Sequence, residues 1–208
     1  MTLRLSGGRK LLSPQGNTAR PTTARVRLAV MNLFAADLAG CRWLDLCCGS
    51  GVMGCEALQR GAAAVVAVDQ DRRMAATALA NLTAVQTGTA ATSTVRVVCR
   101  PLPAWLLEMT PARRPAEVGH RDFDLIYVDP PYRSGLQETI CAAIHQGDWL
   151  APAGRLILEC GSELSAQAPT GWMLEDRRRY GSTSLMLLSR GHCPGGTGSM
   201  PPRTGPRS

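Results

Sequence analysis

The chain contains a single lysine, Lys10, so nearly all of its positive charge is carried by arginine. It has no acidic residue before Asp37, no C-x-x-C pair, and only 4% aromatic residues. No apolar run approaches the ~20 residues needed to cross a bilayer, and charges from Arg4 onward interrupt any apolar core of a secretory leader. On these absences neither a membrane span nor a signal segment is expected, and the chain reads as a soluble cytoplasmic protein. The eight cysteines have no histidine at metal-ligand spacing, which argues against a zinc site, and no metal is expected. Most lie in apolar stretches such as Trp43-Leu44-Asp45-Leu46-Cys47-Cys48, where a free thiol behaves as a small buried hydrophobe. They read as reduced core thiols.

What is present suits one domain. With 208 residues and 45% hydrophobic composition, the chain can bury a sizeable core but not a second full one. The net charge of +7 is made of guanidinium forks, which match phosphate geometry and stack on bases. Arg4, Arg9, Lys10, Arg20, Arg25 and Arg27 all precede the first acid. A wholly basic opening fits an electrostatic footprint for nucleic acid, and composition alone fits a solvated, partly disordered arm equally well.

Residues 1–23, rich in Gly, Pro, Ser and Thr, read as an arm with little regular structure beyond one short strand or hairpin. From Thr22 to about Ala39 apolar residues recur at near-helical spacing, which predicts a helix. Strands follow at 42–47, 64–68, 95–99, 123–128 and 155–160, with helices at 53–60, 71–84 and 135–146. Segments 172–176 and 183–189 predict a terminal antiparallel pair. This alternation predicts an α/β fold with a largely parallel sheet covered on both faces. The connections 86–94 and 110–121 read as loops. The main body therefore spans 24–190, and residues 191–208, poor in apolar side chains, read as a disordered tail.

Two short segments carry chemistry. The first is Asp45-Leu46-Cys47-Cys48-Gly49-Ser50-Gly51, where Gly49 and Gly51 permit a tight strand-to-helix turn and close ligand approach. The turn also matches the dinucleotide fingerprint, with Asp69 about 20 residues downstream, so an NAD-binding domain is a rival. Asp45 tips the balance. Dinucleotide folds aim a helix N-terminus at a pyrophosphate, whereas a carboxylate within the strand suits a cationic ligand such as S-adenosylmethionine. Asp69 would then take the ribose hydroxyls.

The second segment is Asp129-Pro130-Pro131-Tyr132, directly after an apolar strand, where ligands of open α/β sheets bind. The prolines fix the backbone and remove N–H donors. That leaves the Pro130 carbonyl and the Asp129 carboxylate as acceptors, with Tyr132 offering a face on which a base can stack. Two acceptors gripping the hydrogens of an exocyclic amine would localise its lone pair and stabilise the positive charge that develops on methyl transfer. No metal or covalent nucleophile is required. The tetrapeptide alone is compatible with guanine N2, adenine N6 or cytosine N4.

With these segments stand Gly7-Gly8-Arg9-Lys10-Leu11, Arg20-Pro21-Thr22-Thr23 with Arg25-Val26-Arg27, Glu56-Ala57-Leu58 with Arg60-Gly61, Trp149-Leu150, Glu159 and Tyr180-Gly181. On these residues the chain, from about Arg4 to Arg190, resembles the bacterial 16S ribosomal RNA guanine-N2 methyltransferases of the RsmD family. The resemblance implies a class I, Rossmann-like methyltransferase fold with a seven-stranded, mostly parallel sheet and helices on both faces. It implies S-adenosylmethionine as donor and a guanine of 16S rRNA, within the small ribosomal subunit or an assembly intermediate, as acceptor. By the match, Asp129, Pro130, Pro131 and Tyr132 form the catalytic segment. Asp45, Gly49, Ser50, Gly51 and Asp69 hold the donor, and Arg9, Lys10, Arg20, Arg25 and Arg27 face RNA. A monomer is expected.

Three positions depart from the family pattern. Ala24 stands where an aspartate is common, Cys47-Cys48 replaces Phe-Ala, and Pro101 follows the third strand where an acid or amide often meets adenine. Two other classes remain to be weighed. An NAD-dependent oxidoreductase lacks an obvious proton donor, since His120 sits in a polar loop and His145 near a helix end. A non-catalytic RNA-binding module has no use for an intact Asp-Pro-Pro-Tyr.

Overall fold

The computed structural model describes residues 3–13, 23–89, 92–109, 122–131, 134–163 and 167–191. Its elements run α1 (Ala24–Leu33), β1 (Arg42–Leu46), α2 (Val52–Gln59), β2 (Ala64–Asp69), α3 (Arg72–Gln86), β3 (Thr94–Cys99) and α4 (Ala104–Glu108). They continue with β4 (Phe123–Val128), α5 (Leu136–Gln146), β5 (Leu150–Gly161), β6 (Trp172–Tyr180) and β7 (Thr183–Arg190). The seven strands form one sheet in the order β3-β2-β1-β4-β5-β7-β6. β1 to β5 pair in parallel, and β7 joins β5 antiparallel, with β6 as the edge.

The central strands read as apolar runs because helices cover both of their faces. One layer packs Trp43, Val65, Ala67, Leu125, Tyr127 and Ile157 against α1, α2 and α3. The other packs Leu44, Leu46, Val66, Ile126, Val128 and Leu156 against α4 and α5. Within β1, neighbouring residues therefore enter opposite cores, and Asp45 lies on the α1–α2–α3 side between Trp43 and the glycine turn. Burying each Leu or Val contributes ~1.5–3 kcal/mol, which fixes strand register: a slip of one residue would exchange the two cores.

The described part of the basic opening is docked rather than free. An antiparallel bridge joins Arg4 to Lys10, and Leu5 and Leu11 enter the core at 3% and 7% exposure. The Ser6 backbone N–H and hydroxyl both donate to Glu56, which also pairs with Arg60. Alternating leucines that look isolated in a basic sequence thus make a strap across α2 and α3. Residues 14–22, including Arg20, lie outside the described residues, as do the loop 110–121 and the tail beyond Gly191.

Other boundaries also differ from the sequence expectation. α1 ends at Leu33 rather than near Ala39, because the chain turns through Phe34–Asp37 to bury Leu38 and Cys41. β5 starts at Leu150, five residues before the expected strand, with Pro152 and Gly154 inside it and a register shift opposite Phe123–Leu125. α4 has no strong sequence signal and owes its place to the buried Trp105 and Leu106. β6 extends to Tyr180 through the run Arg177-Arg178-Arg179, at the sheet edge where polar side chains remain wet.

Candidate functional site

Strand order reverses between β1 and β4, so the loops leaving their carboxyl ends diverge and open a crevice there. Leu46 pairs with Val128 at the last rung, and the Asp129 N–H donates to the Leu46 carbonyl at 3.2 Å. The glycine turn and the Asp129-Pro130-Pro131 segment are therefore neighbours, separated in sequence but brought side by side by one strand pairing. Asp129 is half-buried, Pro130 buried and Pro131 exposed. The Pro131 carbonyl accepts the Ser134 backbone N–H and hydroxyl at 2.9 and 2.7 Å, which turns the chain into α5. Tyr132 lies outside the described residues.

The turn itself needs glycine. Gly49 and Gly51 have φ of 54° and 73°, and Cys47 shares this left-handed region at 59°. A Cβ on Gly51 would stand 3.0 Å from the Ala78 Cβ and 3.1 Å from its Cα, so the turn lies directly on α3. A Cβ on Gly49 would meet no atom within 4 Å, which leaves that side open toward the crevice. The turn is also tied to β2. Cys48 N–H donates to the Val68 carbonyl at 3.0 Å, and Gly49 N–H donates to Asp69 Oδ2 at 2.8 Å. The other Asp69 oxygen accepts from Asp71 N–H at 2.9 Å.

Three carboxylates converge around this turn. Asp45 is 1% exposed, and its Oδ2 accepts the Gly54 N–H of α2 at 3.1 Å. Burial pushes its pKa up to about 8; the Gly54 hydrogen bond opposes the shift, and the charge of Asp69 adds to it. Burial also raises Asp69 above the usual carboxylate range. The Cys47 thiol is driven up to about 12 by burial and then by the charges of Asp69, Asp129 and Asp45. All three acids therefore act on one point. The electrostatics of this pocket favour a cationic ligand, and a carboxylate kept protonated by burial gains most from one. A sulfonium with an α-ammonium group fits that donor set, while a pyrophosphate would meet repulsion. Among the described residues no group of His, Cys, Asp and Glu is arranged to hold a metal ion.

A buried pair lies next to these acids, joining Glu159, one of the residues that carry the family resemblance, to Tyr127, which sequence reasoning did not single out. Tyr127, 1% exposed, donates its hydroxyl to Glu159, 4% exposed. Burial raises the tyrosine well above its ordinary value, and the charges of Glu159, Asp129 and Asp45 add to that. The pair links β4 to β5 beneath Asp129. A polar residue at each of two apolar-strand positions was the available signal.

A scan of protein families matches residues 5–189 to the model described as "Conserved hypothetical protein 95", which is the RsmD family. The chain belongs to the RsmD family. Among its relatives is the ribosomal RNA small subunit methyltransferase D of Escherichia coli K12, 32% identical over 187 residues, which cover 88% of this chain and 85% of that protein. The Haemophilus influenzae protein of the same name is 27% identical over 180 residues, covering 86% and 88%. A solved Escherichia coli structure described as a candidate methyltransferase, yhhF, superposes with a TM-score of 0.73 at 29% identity, over 91% of this chain and 98% of that one. The architecture is accordingly the class I methyltransferase fold.

Within this RsmD-family chain the basic residues separate. Arg25 sits at the start of α1 with its guanidinium 5.9 Å from the centre of the Tyr180 ring, near the carboxyl ends of the strands. Arg9 is exposed but docks on the Ala84 carbonyl at 2.6 Å in the last turn of α3, where the helix dipole favours a cation. Gly51 rests on α3 at Ala78, so Arg9 docks about 9 Å farther along the helix from the glycine turn. Lys10 is exposed beside it. Arg27, expected to face RNA, is instead turned inward. It is 6% exposed, donates to the Arg4 carbonyl at 2.8 Å, and lies 3.6 Å from the Glu56 carboxylate. Its charge is taken up in holding the strap to α2.

The departures from the family pattern have local consequences. Without an acid at residue 24, α1 is capped by the Thr23 hydroxyl, which accepts the Val26 N–H at 3.3 Å. After β3, the Arg100 N–H donates to the Asp69 carbonyl at 3.1 Å and the Pro101 carbonyl accepts the Trp105 N–H. The backbone of this stretch is thus committed within the protein.

Proposed function

We propose that this protein transfers a methyl group from S-adenosylmethionine to the exocyclic N2 of a guanine in the 16S rRNA of the small ribosomal subunit. The observation that carries the reading is the juxtaposition of the glycine turn and Asp129-Pro130 across the β1–β4 pairing. The names of the RsmD-family relatives support rRNA as the acceptor. The choice of guanine N2 rests on the family likeness.

S-adenosylmethionine, when bound, supplies an electrophilic methyl group on a sulfonium. Asp45 and Asp69 provide negative charge for its cationic and hydroxyl groups, and Gly49 and Gly51 keep the turn clear of side chains. Asp129 and the Pro130 carbonyl accept the two hydrogens of the target amine. That draws its lone pair out of conjugation and stabilises the cation that forms on nitrogen. The amine proton then leaves to Asp129 or solvent. Holding the two reacting atoms ~3–3.5 Å apart and in line contributes much of the remaining acceleration. A paired guanine must leave its stack to reach this crevice, and Tyr132 and Arg25 stand in sequence where stacking and phosphate contacts are needed.

The test is methyl transfer from labelled donor to undermethylated small subunits, followed by mass-spectrometric mapping. Label on one guanine N2 is the expected result. Label on adenine or cytosine amines would overturn the base assignment, and no transfer to rRNA would overturn the function.

A further inference from the structure

α3 carries one buried amide that touches two otherwise separate parts of the molecule. Asn81 is 2% exposed. Its Oδ1 accepts the Leu12 backbone N–H at 2.8 Å. Its Nδ2 donates to the Leu12 carbonyl at 3.1 Å and to the Ser50 carbonyl at 3.0 Å. A side-chain amide offers two donors and an acceptor oxygen, and here it reads both backbone groups of Leu12 while gripping the glycine turn. Ala78, three residues earlier on the same helix face, is the surface on which Gly51 rests. The Leu12 side chain is 60% exposed, so burial contributes little to holding the strap at this residue; the amide clamp does it.

We propose that Asn81 is a positioning residue that couples the N-terminal strap to the donor-binding turn, so that donor binding and strap docking stabilise each other. The inference rests on the proposed function only in taking the turn at Ser50 as the donor site. The physical basis is shared ordering. A ligand that fixes the Ser50 carbonyl fixes the amide bonded to it, and an amide so held presents its remaining donor and its acceptor to Leu12 without further loss of freedom. Linkage makes the effect reciprocal: whatever holds the basic strap tightens donor binding by the same factor. A polyanionic acceptor lying on Lys10 would act through this route, although the strap is built largely outside the crevice.

Hydrogen exchange at the Leu12 amide, measured on the full chain with and without saturating S-adenosylmethionine, reads the coupling directly. Slowing on the order of fivefold or more is the expected result in the wild type. Two variants separate coupling from stability. Asn81→Ala removes both links, and Leu12 should exchange fast whether or not donor is present. Asn81→Asp keeps the acceptor for the Leu12 N–H but loses the donors to the Leu12 and Ser50 carbonyls, so the Leu12 N–H should remain protected yet become insensitive to donor. If calorimetry shows donor binding while Leu12 exchange in the wild type is unchanged, or if Asn81→Asp retains the full donor response, the coupling is refuted. Absence of any donor binding to the wild type would instead overturn the proposed function, and the coupling with it.

Discussion

Asp45 should make donor binding a proton-releasing event. Burial without a nearby cation holds its carboxyl at a pKa of about 8, so the group is largely protonated at neutral pH in the unliganded protein. A cationic donor favours the carboxylate, and binding below that value must expel a proton. If only the ionised form binds, the apparent dissociation constant scales as one plus the ratio of protonated to ionised Asp45. Between pH 6 and 7 the affinity should then rise roughly ninefold, with about one proton released per donor bound. In that interval an amino group of ordinary basicity on the donor stays charged, so the change reports the protein. Calorimetry in two buffers of different ionisation enthalpy counts the protons. Asp45→Asn should bind donor more weakly with a flat pH profile. A wild-type dissociation constant constant over this interval, with no buffer-dependent heat, would refute the reasoning. The same shift has a sign for stability. A folded-state carboxyl pKa raised above its unfolded value costs stability as pH rises from the ordinary carboxylate range toward 8. Wild type should therefore lose up to about 1.4 kcal/mol per pH unit there relative to Asp45→Asn.

Asp129→Ala should abolish methyl transfer while leaving donor affinity within about twofold, since the residue is assigned to the amine rather than the sulfonium; near-normal kcat would count against that role. Gly51→Ala should weaken donor binding, because the left-handed φ of 73° costs about 1–2 kcal/mol for a residue with a Cβ and that Cβ would press on Ala78; unchanged affinity and melting temperature would show that the turn can shift. Tyr127→Phe leaves the buried Glu159 without its hydroxyl donor and should cost about 1.5–3 kcal/mol in urea unfolding, and a loss below about 0.5 would show that other groups compensate. Arg27→Ala should lower stability, whereas Arg25→Ala should lower RNA affinity and its salt slope with stability intact; the reverse pattern would contradict their placement.

Much of this protein is written in local pattern. The apolar runs at β1, β2 and β4, the glycine turn and the Asp129-Pro130-Pro131 segment are dictated by residues within a few positions of each other, because strand propensity, positive φ and proline geometry are short-range properties. So is the α/β class, which follows from alternation alone. What the sequence could not fix was the orientation of polar side chains, a matter of what packs above them. Arg25 and Arg27 are two residues apart in one basic motif, yet Arg25 lies over a tyrosine ring and Arg27 is buried against Glu56. Leu5 and Leu11 sit among basic residues, and only the packed α2 and α3 give them a surface to cover. Asn81, inside an alanine-rich helix, gained its meaning only when the fold brought Leu12 and Ser50 to either side of it. Burial, and with it the choice between a charge that meets solvent and one that holds the fold, is a property of the assembled layers, and tertiary structure alone decided it.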